Sequence, residues 1–172
     1  MDLSKYFARG DIIPSTDVVQ KDGFIGAGCF AKVYLGFHTK LNHRVAIKRF
    51  SYDNEINSSD AKKIQEEFDA MKKVRHGANI VTLYGVLLDK TRQLELSLVM
   101  EYMVNKSLRN FQQKLKINKI AFPWTVQTDI TSEIITGMSF LHANDVIHRD
   151  LKLDNILVGK NLEIKIADFG FS

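Results

Sequence analysis

The 172-residue sequence has a single cysteine, Cys29, so no disulfide can form within it and a reducing compartment is the expected setting. No stretch is apolar for long enough to span a bilayer or act as a secretory leader, and the opening "MDLSKYFARGD" is polar. Together these features read as a cytoplasmic protein with no membrane span. Internal repeats and low-complexity tracts are also missing, which excludes solenoids and arrays. The formal net charge is only +4, with both signs interspersed, so the clustered basic footprint of nucleic-acid binding is lacking and no nucleic-acid partner is expected. What is present is ordinary for a globular chain. Its 45% hydrophobic and 26% charged residues can build a core without disulfides or metal.

Residues 1–17, with Pro14 near their end, read as an unpatterned leader. From Val18 to about Ile47 the signals are those of strands. "DGFIGAGCFAKVYLGFHT" flanks a glycine-rich turn with apolar and β-branched residues, and "HRVAIKRF" adds a third run. "SSDAKKIQEEFDAMKKVRH" predicts a helix capped by Ser59 or Asp60, with Lys72, Lys73 and Arg75 where the helix dipole favours cations. "NIVTLYGVLLD" and "QLELSLVMEYM" supply two more strands, giving a five-stranded sheet with one helix. The character changes near Tyr102–Asn105. "SLRNFQQKLK" and "WTVQTDITSEIITGMSFLHAND" are helical by apolar spacing, the second through Ile130, Ile134, Ile135, Met138 and Leu141. Short strands return at "NILV" and "EIKIA". The fold class is α+β.

Several residues stand out for chemistry. In "IGAGCFAKV", Gly26 and Gly28 lack Cβ atoms and could bring backbone N–H groups close to phosphate oxygens, or could simply turn a hairpin. A strand follows them, which argues against a Rossmann fingerprint, and no G-K-[ST] is present to make a Walker A loop. Cys29 at the tip is either a reactive thiol or an unremarkable small residue. In "VAIK", a period of two puts Val45 and Ile47 on one face and Ala46 and Lys48 on the other, the side of the glycine loop. A small residue beside a cation leaves room for a flat base and its phosphates. The same pattern also fits an edge lysine in water.

The helix separates two neighbouring glutamates. With Ile64 at zero and 100° per residue, Phe68, Met71 and Val74 fall at about 40°, 340° and 280°, an apolar stripe about 120° wide. Glu67 falls inside it at about 300°, and Glu66 outside at about 200°. A carboxylate on a buried face needs a partner, and Lys48 is the candidate.

"HRDLKLDNILVGKNLEIKIADFGFS" closes the sequence with Asp150, Asn155 and Asp168 around two short apolar runs. Two acids and an amide at strand ends can ligate Mg²⁺ and orient an attacking hydroxyl, although each alone is ordinary turn chemistry.

In this order, "GAGCFAKV", "VAIK", a helical glutamate, "HRDLKLDN" and "DFG" resemble the eukaryotic protein kinase domain from Val18 to Ser172. The resemblance implies a protein-kinase-like fold: a β-rich N-lobe over 18–100, a hinge at 101–103 and a partial helical C-lobe over 104–172. ATP and Mg²⁺ are the implied cofactors, and a hydroxyl of a protein substrate is the acceptor of the γ-phosphate. It implies that Gly26 and Gly28 cover the phosphates and that Ile25 also binds the nucleotide, while Lys48 holds the α- and β-phosphates and pairs with Glu67. Val33, Ala46 and Leu157 would enclose the base. Met100 would stand behind it, with the Glu101–Met103 backbone on its edge. Asp150 would be the base, with Asn155 and Asp168 on Mg²⁺. Met71, Leu83, His148 and Phe169 would form an internal spine.

Lys152, two positions after Asp150, is similar to serine/threonine kinases. "SLVMEYM", "EIITGMSFLH" and "VIHRDLKLDNILV" resemble the tyrosine-kinase-like group, including receptor-interacting serine/threonine kinases. Three departures follow. Ala31 replaces the third loop glycine, Leu153 stands where proline is common, and the sequence stops two residues past Gly170. Truncation there is expected to weaken catalysis by the chain alone and to leave apolar C-lobe surface open for pairing with another chain. The alternative reading is a non-catalytic ATP-binding or interaction module.

Overall fold

Period-two alternation in the strands and period-3.6 spacing in the helices set the elements. The computed structural model of the chain describes residues 3–27, 31–50, 58–89 and 95–168. The chain divides into two units, Met1–Phe68 with Leu83–Tyr102, and Asp69–Thr82 with Met103–Ser172.

The first unit contains all five expected strands. These are β2 (Val18–Ala27), β3 (Ala31–His38), β4 (His43–Phe50), β5 (Leu83–Asp89) and β6 (Glu95–Glu101). A sixth, β1 (Ile12–Ile13), pairs parallel with β5, so the sheet order is β1-β5-β6-β4-β3-β2. Residues 3–17 are therefore more than an unpatterned leader: they form 3-10 turns at Leu3–Tyr6, Arg9–Asp11 and Ser15–Asp17, and carry β1. Buried Asp17 anchors this segment. Its carbonyl accepts from the Thr39 N–H at 2.8 Å, and its carboxylate pairs with Lys40 at 2.7 Å. Alternation on β4 buries Val45 and Ile47 with Val18 and Val99, while Ala46 and Lys48 take the opposite face. The β3–β4 turn closes with Asn42 at φ 56°, a left-handed conformation that asparagine tolerates. Helix α1 (Ser58–Val74) buries Ala61, Ile64, Phe68, Met71 and Val74, one stripe of an amphipathic helix.

The second unit begins in the last turns of α1. Helix α2 (Leu108–Ile117) is capped by Ser107, whose hydroxyl accepts from the Asn110 N–H. It ends in a Schellman-type turn: Lys119 is left-handed at φ 53°, and the Ile120 N–H reaches the Leu115 carbonyl at 2.9 Å. Helix α3 (Trp124–Ala143) follows, then the hairpin of β7 (Ile156–Val158) and β8 (Ile164–Ile166). Leu108, Ile130, Ile156, Val158 and Ile164 form its core, with Ile134 packed against them. Ile135 lies off this face and is exposed, as is Trp124. Residues 69–82 join this unit because Ile80 bridges Ile166, and the Asn79 carbonyl accepts from the Ile166 N–H at 2.9 Å. Glu133 on α3 completes the joint, accepting from Asn79 Nδ2 at 2.9 Å and from the Ile164 N–H at 2.8 Å. Among the described residues, no helix is long and apolar enough to cross a membrane.

Candidate active site

In the first unit the sheet register lines up the candidate nucleotide residues. Gly26 stands opposite Val33, Val33 opposite Lys48, and Lys48 opposite Leu98, one row across four strands. The next row holds Leu35, Ala46 and Met100. Ile25 and Gly26 are half-buried near the end of β2, and a Cβ built on Gly26 would meet no atom of the described residues within 4 Å. Packing among the described residues thus does not require glycine at 26. Met100 and Glu101 are half-buried at the end of β6. Gly28 and Cys29 lie outside the described residues.

Lys48 Nζ donates to Glu67 Oε1 at 2.5 Å and lies 5.4 Å from the centre of the Phe50 ring. The two side chains are 15% and 6% exposed, so the pair is close to fully desolvated. Neighbouring Glu66 is exposed. A buried ion pair of this kind adds little net stability, but removing one partner strands the other charge. Its presence on a sheet-and-helix unit fixes where the lysine ammonium sits.

In the second unit a loop between Val146 and Asn155 collects the remaining chemistry. Its geometry starts from His148, which is 1% exposed. His148 Nε2 donates to the Ala167 carbonyl at 2.9 Å, leaving Nδ1 to face the Asp150 N–H at 3.4 Å. Arg149 is left-handed at φ 60°, a sparsely populated conformation that turns the chain sharply before Asp150. The Asp150 carboxylate then accepts from Lys152 Nζ at 2.6 Å and from Asn155 Nδ2 at 3.1 Å. Asn155 Nδ2 also reaches the Asp150 carbonyl at 2.8 Å, and its own carbonyl accepts from the Ala167 N–H at 2.9 Å. That last bond brings Asp168, the next residue, to the same loop. Asp168 is half-buried and left-handed at φ 69°.

These contacts set the charges. The Lys152 hydrogen bond holds the Asp150 carboxyl below the usual carboxylate range, with the Asn155 hydrogen bond adding to it against partial burial. Lys152 is pushed up in return, chiefly by its bond to Asp150, with Asp168 contributing at longer range. Asp150 is therefore an anionic acceptor at neutral pH. Committing the Asn155 amide nitrogen to Asp150 leaves Oδ1 as the group able to face a cation. Among the described residues no group of three or more His, Cys, Asp or Glu could hold a metal. One carboxylate plus one amide oxygen instead suits Mg²⁺, which completes its shell with water and phosphate oxygens.

Met103 is buried and its carbonyl accepts from the Lys106 N–H, while half-buried Leu157 bridges to Ser107. Of the spine candidates, Met71, Leu83 and His148 are each buried, and Phe169 lies outside the described residues. Sequence reasoning passed over Glu133 and the Arg109–Asp154 ion pair at 2.9 Å, because each joins residues far apart in the chain.

A six-stranded sheet with one helix, and a helical unit ending in a two-stranded hairpin, make up the α+β architecture of a kinase domain. The chain belongs to the protein kinase family, whose model, described as "Protein kinase domain", matches residues 19–172. It is 36% identical over 96% of its length to leaf rust 10 disease-resistance locus receptor-like protein kinase-like 1.2 of Arabidopsis thaliana, covering 24% of that protein. It is 39% identical over 85% of its length to MAP3K epsilon protein kinase 2 of the same plant, covering 10% of it. A probable serine/threonine-protein kinase of Dictyostelium discoideum is 36% identical over 85% of the chain, which covers 28% of that relative. The chain thus spans less than a third of the length of these relatives.

Proposed function

We propose that this chain is the ATP-binding part of a protein serine/threonine kinase, which transfers the γ-phosphate of ATP to a protein hydroxyl with Mg²⁺ as cofactor. The observation that supports this best is the desolvated Lys48–Glu67 pair, 2.5 Å long. A cation fixed in that way is suited to the α- and β-phosphates of a nucleotide. Gly26, with no atom of the described residues within 4 Å of where a Cβ would stand, and Gly28 cover the phosphates. Ile25, Val33, Ala46 and Leu157 contact the base, with Met100 behind it. The backbone from Glu101 to Met103 meets its edge.

Asp150 receives the hydroxyl proton, and Lys152 steadies the phosphate in transit. Asn155 and Asp168 hold Mg²⁺, which neutralises charge on the phosphates when bound. Lys152 favours serine or threonine as acceptor, in keeping with relatives named as serine/threonine-protein kinases. "SLVMEYM" and "VIHRDLKLDNILV" favour the tyrosine-kinase-like group, and the single cysteine suits the cytoplasm. The test is transfer of radiolabel from γ-labelled ATP to a mixture of serine, threonine and tyrosine peptides. Label on serine or threonine that disappears in Asp150→Asn supports the reading. Label confined to tyrosine, or undiminished in Asp150→Asn, contradicts it.

A further inference from the structure

The segment before the sheet does something the kinase motifs do not require. Phe7 is 7% exposed although it sits in a stretch of polar residues. Its ring meets Phe68 edge to face, with centroids 5.3 Å apart and planes at 86°. Such a pair contributes beyond the area it buries. Phe68 is the residue directly after Glu67 on α1, and both are buried. Adjacent helical residues are held about 100° apart, so fixing the azimuth of one fixes the other.

The other end of the segment is tied to the sheet. Ile12 and Ile13 pair with Val86 and Leu87 of β5. Beside them, a Cβ on Gly85 would stand 2.5 Å from the Asp11 carbonyl oxygen and 2.9 Å from Ile13, so the segment runs alongside β5 where only glycine leaves room. A strap anchored on β5 at one end therefore presses an aromatic ring on α1 at the other. At a side-chain radius of about 5–6 Å, a 10° turn of a helix moves a carboxylate by roughly 1 Å. That is enough to break a hydrogen bond such as the one from Lys48 to Glu67.

We propose that Phe7 is a positioning residue: through Phe68 it holds α1 in the rotation that keeps Glu67 on Lys48. This rests on the assignment of Lys48 to the nucleotide phosphates only for its second readout. The first needs no nucleotide. In the 172-residue chain carrying ¹³C-labelled lysine, the Lys48 Cε signal is identified by its loss in Lys48→Met, and its displacement in Glu67→Gln calibrates loss of the pair. Phe7→Ala should displace the signal in the same direction, and the double variant no further than Glu67→Gln alone. The second readout is Mg-ATP affinity: Phe7→Ala should weaken it about fivefold in the parent chain and less than twofold in the Glu67→Gln background.

If Phe7→Ala does not fold, Phe7→Leu, which keeps apolar bulk, should give the same pattern at smaller amplitude. An unmoved Lys48 signal, or displacements that add in the double variant, overturns the proposal whatever the nucleotide result. A displaced signal in a chain that binds no Mg-ATP upholds the strap and refutes the nucleotide assignment.

Discussion

Lys152 and Asp150 meet across 2.6 Å, and Asn155 donates to the same carboxylate oxygen. A residue proposed as a proton acceptor is thereby kept anionic by two donors from its own loop. The cost is basicity, because the hydrogen bonds that lower the Asp150 pKa also favour its charged form. Replacing Lys152 with Met removes the largest of these influences. The Asp150 carboxyl should then titrate at higher pH than in the parent chain, and ¹³C carboxyl shifts followed from neutral to acid pH measure this. A midpoint that stays put or falls would show that Lys152 does not set the charge of Asp150.

Glu67 and Glu66 should differ sharply in stability experiments. Glu67→Ala removes the carboxylate hydrogen-bonded to the largely desolvated Lys48 ammonium and should cost about 3 kcal/mol. Glu66→Ala, on the exposed face, should stay within about 0.5 kcal/mol. Urea midpoints of the two variants provide the comparison. Equal losses would refute the placement of the helix face.

The Asp17–Lys40 pair carries a pH signature. Its hydrogen bond to Lys40 is the main cause holding Asp17 below the usual carboxylate range, so folding favours the ionised form. The associated stability is present above the unfolded carboxyl pKa and is lost as pH falls through the lower folded value. Lys40→Ala should therefore lower the urea midpoint at pH 7, and the deficit should shrink on acidification through the carboxylate range. A deficit that is constant with pH would mean the effect of Lys40 is not electrostatic.

Glu133 is the hidden joint of the second unit. Glu133→Ala leaves the buried Ile164 N–H without its acceptor and frees Asn79 Nδ2 from one of its two partners. The expected loss is about 2 kcal/mol, read from denaturant midpoints. Glu133→Gln, whose amide oxygen can still accept from Ile164, should recover part of it. A neutral Glu133→Ala would argue that water replaces the carboxylate.

Much of this was legible in the sequence because it is local. The period of two in "VAIK" separated Ala46 and Lys48 from Val45 and Ile47, and the 100° spacing of α1 separated Glu67 from Glu66. The apolar residues of α3 include Ile135, yet at 100° per residue it falls far from Ile130 and Leu141, and it is exposed. The strand β1 gave no signal, since two residues carry no period and their pairing with β5 lies more than seventy positions away. Phe7 and Glu133 were invisible for the same reason. Each acts on a partner distant in sequence, and no spacing within its own segment points to that partner. The loop from His148 to Asn155 was recognisable as a motif, but the way Lys152 and Asn155 share one oxygen of Asp150 depends on backbone turns, including left-handed Arg149, that spacing alone does not reveal.

The central claim is that Lys48, held by Glu67, binds the phosphates of ATP. Thermal unfolding of the chain with and without Mg-ATP tests it most directly. At a nucleotide concentration 100 times Kd, binding contributes about 2.7 kcal/mol, which for a chain of this size raises Tm by roughly 5–10 °C. That rise should vanish in Lys48→Met and persist in Glu66→Ala. A full rise in Lys48→Met, or no rise in the parent chain at saturating Mg-ATP, would contradict the account.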